Sequence, residues 1–153
     1  MPPFQKEIAE FCSILNKNYV EYMVIGGIAV NLHGYTRSTG DADFWYLPTE
    51  KNFRNLIRSI QTFGYDTGDL ERLENYDTKG FIRIPLERFS IELLSIIDGN
   101  IEFSAALQRA EKIVIDGISI PVMGYDDLIQ NKIMSRRDLE DIRQLERRRN
   151  PGN

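Results

Sequence analysis

The sequence predicts an α/β (α+β) protein in which helices alternate with strands. Three observations predict this class. Apolar residues recur every three or four positions in several segments, which is the period of one helical face. Between these segments lie runs rich in aromatic and β-branched residues, which are typical of strands. The chain has 153 residues, of which 42% are hydrophobic, so it can bury a core that needs no crosslinks.

The first 64 residues are predicted to fold as helix, strand, helix, strand and helix. The evidence is an apolar stripe in the first helix, apolar runs in both strands, and glycine or proline where elements end. Thr49 is the expected N-cap of the third helix, and Gly64 is its expected C-terminal stop. The predicted spans are, in that order, 4–17, 19–25, 28–34, 41–48 and 50–64.

The rest of the chain is predicted to begin with a polar, turn-rich stretch, residues 65–80, which forms a loop or a short helix. Two strands joined by a turn around Glu87 follow, then a helix, a hairpin and two C-terminal helices. Asp116 and Gly117 favour a type I′ turn in the hairpin. The predicted spans are, in that order, 81–86, 88–97, 101–112, 113–123, 124–134 and 135–149.

The chain shows no internal repeat, low-complexity segment or strong linker. We therefore predict a single domain, residues 1–153, with an N-terminal helix at 1–18, a sheet-bearing core at 19–123 and C-terminal helices at 124–149.

Composition excludes several classes of protein. The net charge of −4 argues against a nucleic-acid binder with a wholly basic surface. Cys12 is the only cysteine, which excludes a disulfide framework and a cysteine-based metal cluster and favours a reducing compartment. No run approaches the roughly 18 apolar residues of a membrane span, and the start lacks a signal-peptide pattern. We expect a cytoplasmic protein that contacts no membrane.

Two aspartates on the second predicted strand are the first candidates for a functional site. Side chains at positions i and i+2 of a strand point to the same face, so Asp41 and Asp43 form a carboxylate pair about 6.5 to 7 Å apart along the strand. A bound cation would relieve their repulsion, and carboxylate oxygens suit Mg²⁺, with Mn²⁺ as a second choice. The alternative is a polar strand end with no ligand.

Residues before these aspartates could hold phosphate. Gly26 and Gly27 lie between the first strand and the short helix, where missing side chains let a phosphate approach backbone N–H groups. A tight turn with nothing bound is the alternative and, taken alone, the commoner case. Arg37, Ser38 and Thr39 offer a guanidinium and two hydroxyls as a phosphate clamp.

Glu92 interrupts an otherwise apolar predicted strand. A buried, unpaired carboxylate is costly, so Glu92 either faces solvent or joins the two aspartates. Three carboxylates on adjacent strands could hold two Mg²⁺ ions for in-line phosphoryl displacement. His33, the only histidine, is interpreted as a packing residue. The basic run at 143–149 is interpreted as a solvated helix end, with an RNA or partner contact as the alternative.

Residues 26–46 resemble the signature of the DNA polymerase β-like nucleotidyltransferase superfamily, in particular its small bacterial AbiEii-type and minimal nucleotidyltransferases. The shared pattern is a Gly-Gly turn, a short helix ending in His-Gly, an Arg-x-Thr segment and Asp-x-Asp. Residues 125–145 are similar to the closing segment of that group, including its helical lysine, here Lys132. The resemblance spans most of residues 20–147.

The resemblance implies a mixed β-sheet flanked by helices and the transfer of a nucleoside monophosphate from a nucleoside triphosphate, most favourably ATP, to an acceptor hydroxyl. Acceptors in the group include a partner toxin's side chain, RNA ends and small antibiotics, and we favour a toxin protein or RNA here. The implied catalytic and metal-binding residues are Asp41, Asp43 and Glu92, and the implied nucleotide-binding residues are Gly26, Gly27, Arg37, Ser38, Thr39 and Lys132.

The chain departs from the group's pattern at one position. Glu92 stands where the group more usually has Asp and is one methylene longer. A non-catalytic nucleotide- or partner-binding module of the same fold, such as a structural antitoxin or a regulator, is therefore the alternative function. A Mg²⁺-dependent phosphohydrolase would use the same carboxylates but fits the spacing from Gly-Gly to Asp-x-Asp less well. The base preference and the oligomeric state are left open.

Overall fold

The computed structural model describes residues 3–34, 41–68, 81–135, 145–147 and 149. Helices and strands alternate up to α3, and two pairs of consecutive strands separated by α4 follow, as the sequence predicts. The helices are α1 (Pro3–Lys17), α2 (Gly26–Leu32), α3 (Glu50–Phe63), α4 (Phe103–Arg109) and α5 (Tyr125–Ser135). The strands are β1 (Tyr22–Ile25), β2 (Asp41–Tyr46), β3 (Phe81–Pro85), β4 (Ser90–Leu94), β5 (Glu111–Ile115) and β6 (Ile118–Val122).

The six strands form one mixed sheet in the order β3-β4-β2-β1-β6-β5. β1 runs parallel to β6, and β2 runs parallel to β4, while the other neighbours are antiparallel. This arrangement confirms the predicted mixed sheet flanked by helices. β2, which carries the two aspartates, lies in the interior of the sheet between β1 and β4.

One face of the sheet is covered by α1 and α3. The rings of Phe11 on α1 and Phe44 on β2 meet edge to face, with centroids 5.4 Å apart. Tyr46 contacts Phe53 on α3, with ring centroids 6.2 Å apart. Burial raises the pKa of the Cys12 thiol, also on α1, to about 12. This face of β2 is therefore the buried, apolar one, as the alternating pattern of that strand predicts.

On the opposite face of β2, α4 covers the end that carries Trp45. Trp45 is 4% exposed, and its ring meets that of Phe103 on α4 with centroids 4.9 Å apart. Its indole N–H donates a hydrogen bond of 3.1 Å to the Ser95 carbonyl, so Trp45 is a core residue. Asp41 and Asp43, at the other end of the same face, are half-buried. α4 thus leaves the aspartate end of this face partly open to solvent.

The predicted caps and turns are confirmed. The Thr49 side chain accepts a hydrogen bond from the Asn52 backbone N–H, and Gly64 ends α3 in the left-handed region at a φ of 109°. Asp116 and Gly117 have φ values of 53° and 77°, as a type I′ hairpin turn requires. These short-range signals fix where α3 begins and ends and where the chain reverses between β5 and β6.

Asn52 joins three segments near the start of α3. Its side chain accepts a hydrogen bond of 2.7 Å from the Glu21 N–H and donates bonds of 2.9 Å to the carbonyls of Glu21 and Leu47. Because Asn52 is buried, all these backbone groups are satisfied inside the protein. The contacts hold the start of β1 and the end of β2 together.

Several predicted boundaries are wrong. The strand predicted at 19–25 begins at Tyr22, and the strand predicted at 88–97 spans only Ser90–Leu94. The helix predicted at 101–112 ends at Arg109, and Glu111 already begins β5. Glu111 and Lys112 pair with Val122 and Pro121 on β6. Both are exposed at the edge of the sheet, where charged residues are common. Two charged residues in a row do not show the alternation of apolar and polar residues by which a strand is recognised. The helix predicted at 28–34 begins earlier, at Gly26.

Two other predicted segments lie wholly or mainly outside the described residues. These are the polar stretch predicted at 65–80, of which residues 69–80 lie outside, and most of the final helix predicted at 135–149. Within the described ranges, no helix is both long enough and apolar enough to cross a membrane.

Candidate active site

The pairing of β2 with β4 brings the predicted carboxylates together. In the parallel register of these strands, Asp43 lies beside Glu92 and Asp41 lies beside Ser90. Paired residues of neighbouring strands project from the same face of the sheet. Asp41, Asp43 and Glu92 therefore share one face, and each is half-buried. Each is accessible enough to meet a ligand and is carried on a rigid strand.

Gly26 packs directly against this carboxylate group. Its φ is 68°, in the left-handed region that favours glycine. A Cβ atom at this position would lie 2.3 Å from Asp43 Oδ2 and 3.1 Å from Asp43 Cγ. Any side chain would therefore collide with the aspartate. Gly27 follows in the first turn of α2, so the two glycines together form the start of that helix.

Ser90 holds one of the aspartates and is absent from the sequence-based site. Ser90 is 3% exposed, and its hydroxyl donates a hydrogen bond to Asp41 Oδ1. The bond fixes the orientation of the carboxylate because Ser90 itself sits in the interior of the sheet. The spacing of Ser90 two residues before Glu92 was the available signal, since both positions then share a strand face.

Arg83 extends the polar face beyond Glu92 and is also absent from the sequence-based site. In the antiparallel register of β3 and β4, Arg83 lies opposite Glu92, and Ile25 on β1 lies opposite Asp43. These four residues, Ile25, Asp43, Glu92 and Arg83, form what we call the cross-strand row. Gly26 adjoins one end of the row, and the exposed Arg83 forms the other.

The remaining predicted residues are placed as follows. Arg37, Ser38 and Thr39 lie outside the described residues. Lys132 lies on α5, where the structure describes its backbone and not its side chain. His33 packs at the end of α2, as predicted. Its Nε2 donates a hydrogen bond of 2.8 Å to the Met123 carbonyl, which ties α2 to the segment after β6.

The donor set of this face fits a hard divalent cation. Within the described ranges, no three His, Cys, Asp or Glu side chains converge as a metal-binding group. Mg²⁺, however, is commonly bound by one or two carboxylates and completes its shell with water and phosphate oxygens. Asp41 and Asp43 supply two carboxylates on one face, and Glu92 supplies a third beside Asp43. These three residues are the ones on this face that could hold such a cation.

Comparison with known proteins identifies a family. Residues 4–151 match the family model described as "Nucleotidyl transferase of unknown function (DUF2204)". No curated protein has a significantly similar sequence.

Several solved structures share the fold. A candidate nucleotidyltransferase (TM1012) from Thermotoga maritima is 17% identical, with a TM-score of 0.65 over 96% of this chain and 92% of that chain. The enzyme ANT(2″)-Ia, solved in complex with adenylyl-2″-tobramycin, is 16% identical, with a TM-score of 0.57 over 93% and 83%. An antigenic nucleotidyltransferase-like protein from Paracoccidioides brasiliensis is 17% identical, with a TM-score of 0.53 over 92% and 72%. At these identities the likeness is one of fold.

Proposed function

The chain belongs to the nucleotidyl transferase family DUF2204, and from this premise we propose that it transfers a nucleoside monophosphate from a nucleoside triphosphate to an acceptor hydroxyl. One observation carries the proposal: Asp41, Asp43 and Glu92 share one face of β2 and β4, beside Gly26. Phosphoryl transfer asks a protein mainly for positioning and charge neutralisation. A rigid group of carboxylates next to a side-chain-free turn supplies both.

The triphosphate is proposed to bind at the glycine end of the cross-strand row. Gly26 and Gly27 are half-buried and carry no side chain, and backbone N–H groups are good donors to phosphate oxygens. Further phosphate contacts are proposed for the basic and hydroxyl residues that the sequence nominates, namely Arg37, Ser38, Thr39 and Lys132. The likeness of fold to ANT(2″)-Ia, whose structure contains an adenylylated product, supports ATP as the nucleotide.

Asp41 and Asp43 are proposed to hold Mg²⁺ or Mn²⁺, with Glu92 as the third carboxylate. When bound, the metal neutralises triphosphate charge and lowers the pKa of the acceptor hydroxyl. Ser90 contributes by holding Asp41 Oδ1 in place. The two aspartates therefore orient the triphosphate, and the buried serine limits how far one of them can turn away.

In the proposed reaction, the acceptor oxygen forms a bond to the α-phosphorus while the bond from that phosphorus to the bridging oxygen of the β-phosphate breaks. Pyrophosphate leaves with the electron pair of the broken bond. The acceptor's proton passes to the Glu92 carboxylate and then to solvent. Glu92 suits this role because it is half-buried beside Asp43 and so lies next to the reacting phosphate.

The acceptor is proposed to be a macromolecule met in the cytoplasm, either RNA or the toxin of a toxin-antitoxin pair. The resemblance of residues 26–46 to the small bacterial nucleotidyltransferases supports this setting. A small hydroxylated antibiotic is the alternative acceptor, and the fold shared with ANT(2″)-Ia supports including one in the assays.

The proposal is tested by incubating cell extract with each of the four α-³²P nucleoside triphosphates and Mg²⁺ or Mn²⁺. We expect wild type to label an acceptor and the Asp41→Asn, Asp43→Asn double variant to lose at least about 99% of the labelling, as befits loss of an essential charged group. Asp116→Asn is the matched control, because the hairpin turn accepts Asn as readily as Asp.

Equal labelling by wild type and the double variant would contradict the proposed site. If folded wild-type protein labels nothing with any nucleotide or metal, the protein is instead the non-catalytic binding module. Circular dichroism of each variant establishes that it is folded in either case.

A further inference from the structure

The cross-strand row has two chemically different ends. At the β1 end, Gly26 has no side chain and packs closely against Asp43. At the β3 end, Arg83 offers an exposed guanidinium next to Glu92. Among the described residues, no ion pair joins Arg83 to Glu92. The cation is therefore available to a ligand that approaches the carboxylates from the β3 side.

The direction of the proposed reaction assigns the β1 end of the cross-strand row to the triphosphate and the β3 end to the acceptor. In an in-line displacement, the attacking and leaving oxygens lie on opposite sides of the phosphorus. With the triphosphate at the glycine turn, pyrophosphate leaves toward β1, so the acceptor oxygen arrives from the side of β4 and β3. Neighbouring strands lie about 4.8 Å apart, which places the backbone of Arg83 about 10 Å beyond that of Asp43. A long side chain from Arg83 can span much of this distance.

We propose that Arg83 forms an acceptor subsite that binds a phosphate group next to the reacting hydroxyl. This inference rests on the proposed function and narrows its acceptor. Guanidinium binds phosphate through two parallel hydrogen bonds and keeps its charge at every physiological pH. The phosphate belongs either to the phosphodiester chain of a nucleic acid or to a small phosphorylated molecule. A cationic acceptor is disfavoured, because Arg83 repels it.

The subsite is tested by equilibrium dialysis in the presence of Mg²⁺ and α,β-methylene-ATP, which occupies the nucleotide site without reacting. Two pairs of hydroxyl compounds serve as probes: the dinucleotide ApA against adenosine, and ribose 5-phosphate against ribose. We expect wild type to bind the phosphate-bearing member of one pair about tenfold more tightly, the size of one charge-assisted contact. The pair that shows the preference identifies the source of the phosphate.

Three variants separate a binding role from a structural one. Arg83→Gln is expected to bind both members of each pair equally, and Arg83→Lys to retain part of the preference because it keeps the charge but loses the paired donors. Arg58→Gln is the matched control, since Arg58 is exposed on α3, on the far side of the sheet, and is expected to behave as wild type. Raising the salt concentration is expected to weaken the preference.

The inference is overturned if wild type shows no preference in either pair, or if the preference survives in Arg83→Gln. The inference is also overturned if Arg83→Gln binds both members of each probe pair more weakly by the same factor, because that result indicates a structural role for Arg83. The labelling assay separates the two proposals. Transfer without an Arg83-dependent preference supports the function alone, whereas the preference without transfer supports the subsite and counts against the reaction.

Discussion

The two faces of β2 carry alternate residues of one short strand and have different roles. Ala42 and Phe44 are completely buried under α1 and α3. Asp41 and Asp43, one position away along the chain, remain half-buried on the other face. The apolar face anchors the strand in the core, and the polar face presents carboxylates at fixed positions. A strand in the interior of a sheet can thus serve stability and function with separate sets of side chains.

This difference predicts that substitutions on the two faces have separable effects. Changes on the α1 and α3 side are expected to act on the free energy of unfolding. Changes on the carboxylate side are expected to act on nucleotidyl transfer. Gly26 and Ser90 are expected to affect both, because Gly26 begins α2 directly after β1, Ser90 lies on β4, and both contact an aspartate.

The largest expected effect on stability is that of Phe44→Ala. Phe44 is fully buried, and its ring lies 5.4 Å from that of Phe11 and 5.9 Å from that of Tyr22. Removing a buried aromatic ring typically costs about 3–5 kcal/mol, so most of the protein's stability is expected to be lost. Urea denaturation measures the change. Val114→Ala is the control, because Val114 is 66% exposed. A comparable loss of stability in this variant would contradict the assignment of stability to the buried face of β2.

Gly26→Ala is expected to be the next largest. The new methyl group would lie 2.3 Å from Asp43 Oδ2, and the φ of 68° is unfavourable for alanine, so we expect a loss of about 1–3 kcal/mol. Adding Asp43→Gly removes the steric conflict but leaves the strained backbone. Denaturation of the single and double variants measures the coupling. If Asp43→Gly restores none of the loss, Gly26 and Asp43 do not pack as described.

Ser90→Ala tests whether the hydrogen bond to Asp41 serves the proposed site. Loss of a bond to a charged group is worth about tenfold in binding, so the Mg²⁺ concentration for half-maximal transfer is expected to rise by about that factor. The free energy of unfolding is expected to change by about 1 kcal/mol. Ser104→Ala, at an exposed position of α4, is the control. An unchanged Mg²⁺ requirement would assign Ser90 to packing alone.

The last prediction concerns the face of β2 that α1 and α3 cover, and its effect is absent at neutral pH and appears only at alkaline pH. The folded Cys12 thiol has a pKa of about 12 because of burial, against an ordinary value of 9.0. The unfolded chain therefore loses this proton first, and stability that is complete below pH 9 falls as the pH rises toward 12. The expected slope is about 1 kcal/mol per pH unit. Denaturation of wild type and Cys12→Ala from pH 8 to 11 measures it. Parallel slopes would show that the thiol is not buried.

Local sequence signals predicted much of the fold. The alternation of β2, the Thr49 cap, the stop at Gly64 and the turn at Asp116 each depend on a few neighbouring residues, and each is confirmed. The predicted end of α4 was wrong because a glutamate such as Glu111 is compatible both with a helix and with an exposed edge strand. Boundaries of this kind depend on tertiary position, which a local pattern does not contain.

The candidate site divides in the same way. Asp41 and Asp43 stand out in the sequence because they are two residues apart on one strand. Ser90 and Arg83 do not stand out, since their relation to the aspartates depends on the register between β2, β4 and β3. A short turn joins β3 to β4, but a long stretch of chain separates β2 from both. Only the assembled sheet therefore reveals that Ser90 and Glu92 are neighbours of the aspartates.

The central claim is that the carboxylate face catalyses nucleotidyl transfer, and the position of the transferred label tests it most directly. Wild type is incubated in extract with α-³²P ATP or γ-³²P ATP, beside Glu92→Gln. We predict that only the α-label reaches the acceptor, that the γ-label is released as pyrophosphate, and that Glu92→Gln abolishes both events. Transfer of the γ-label, release of the γ-label as inorganic phosphate, or full activity in Glu92→Gln would contradict the account.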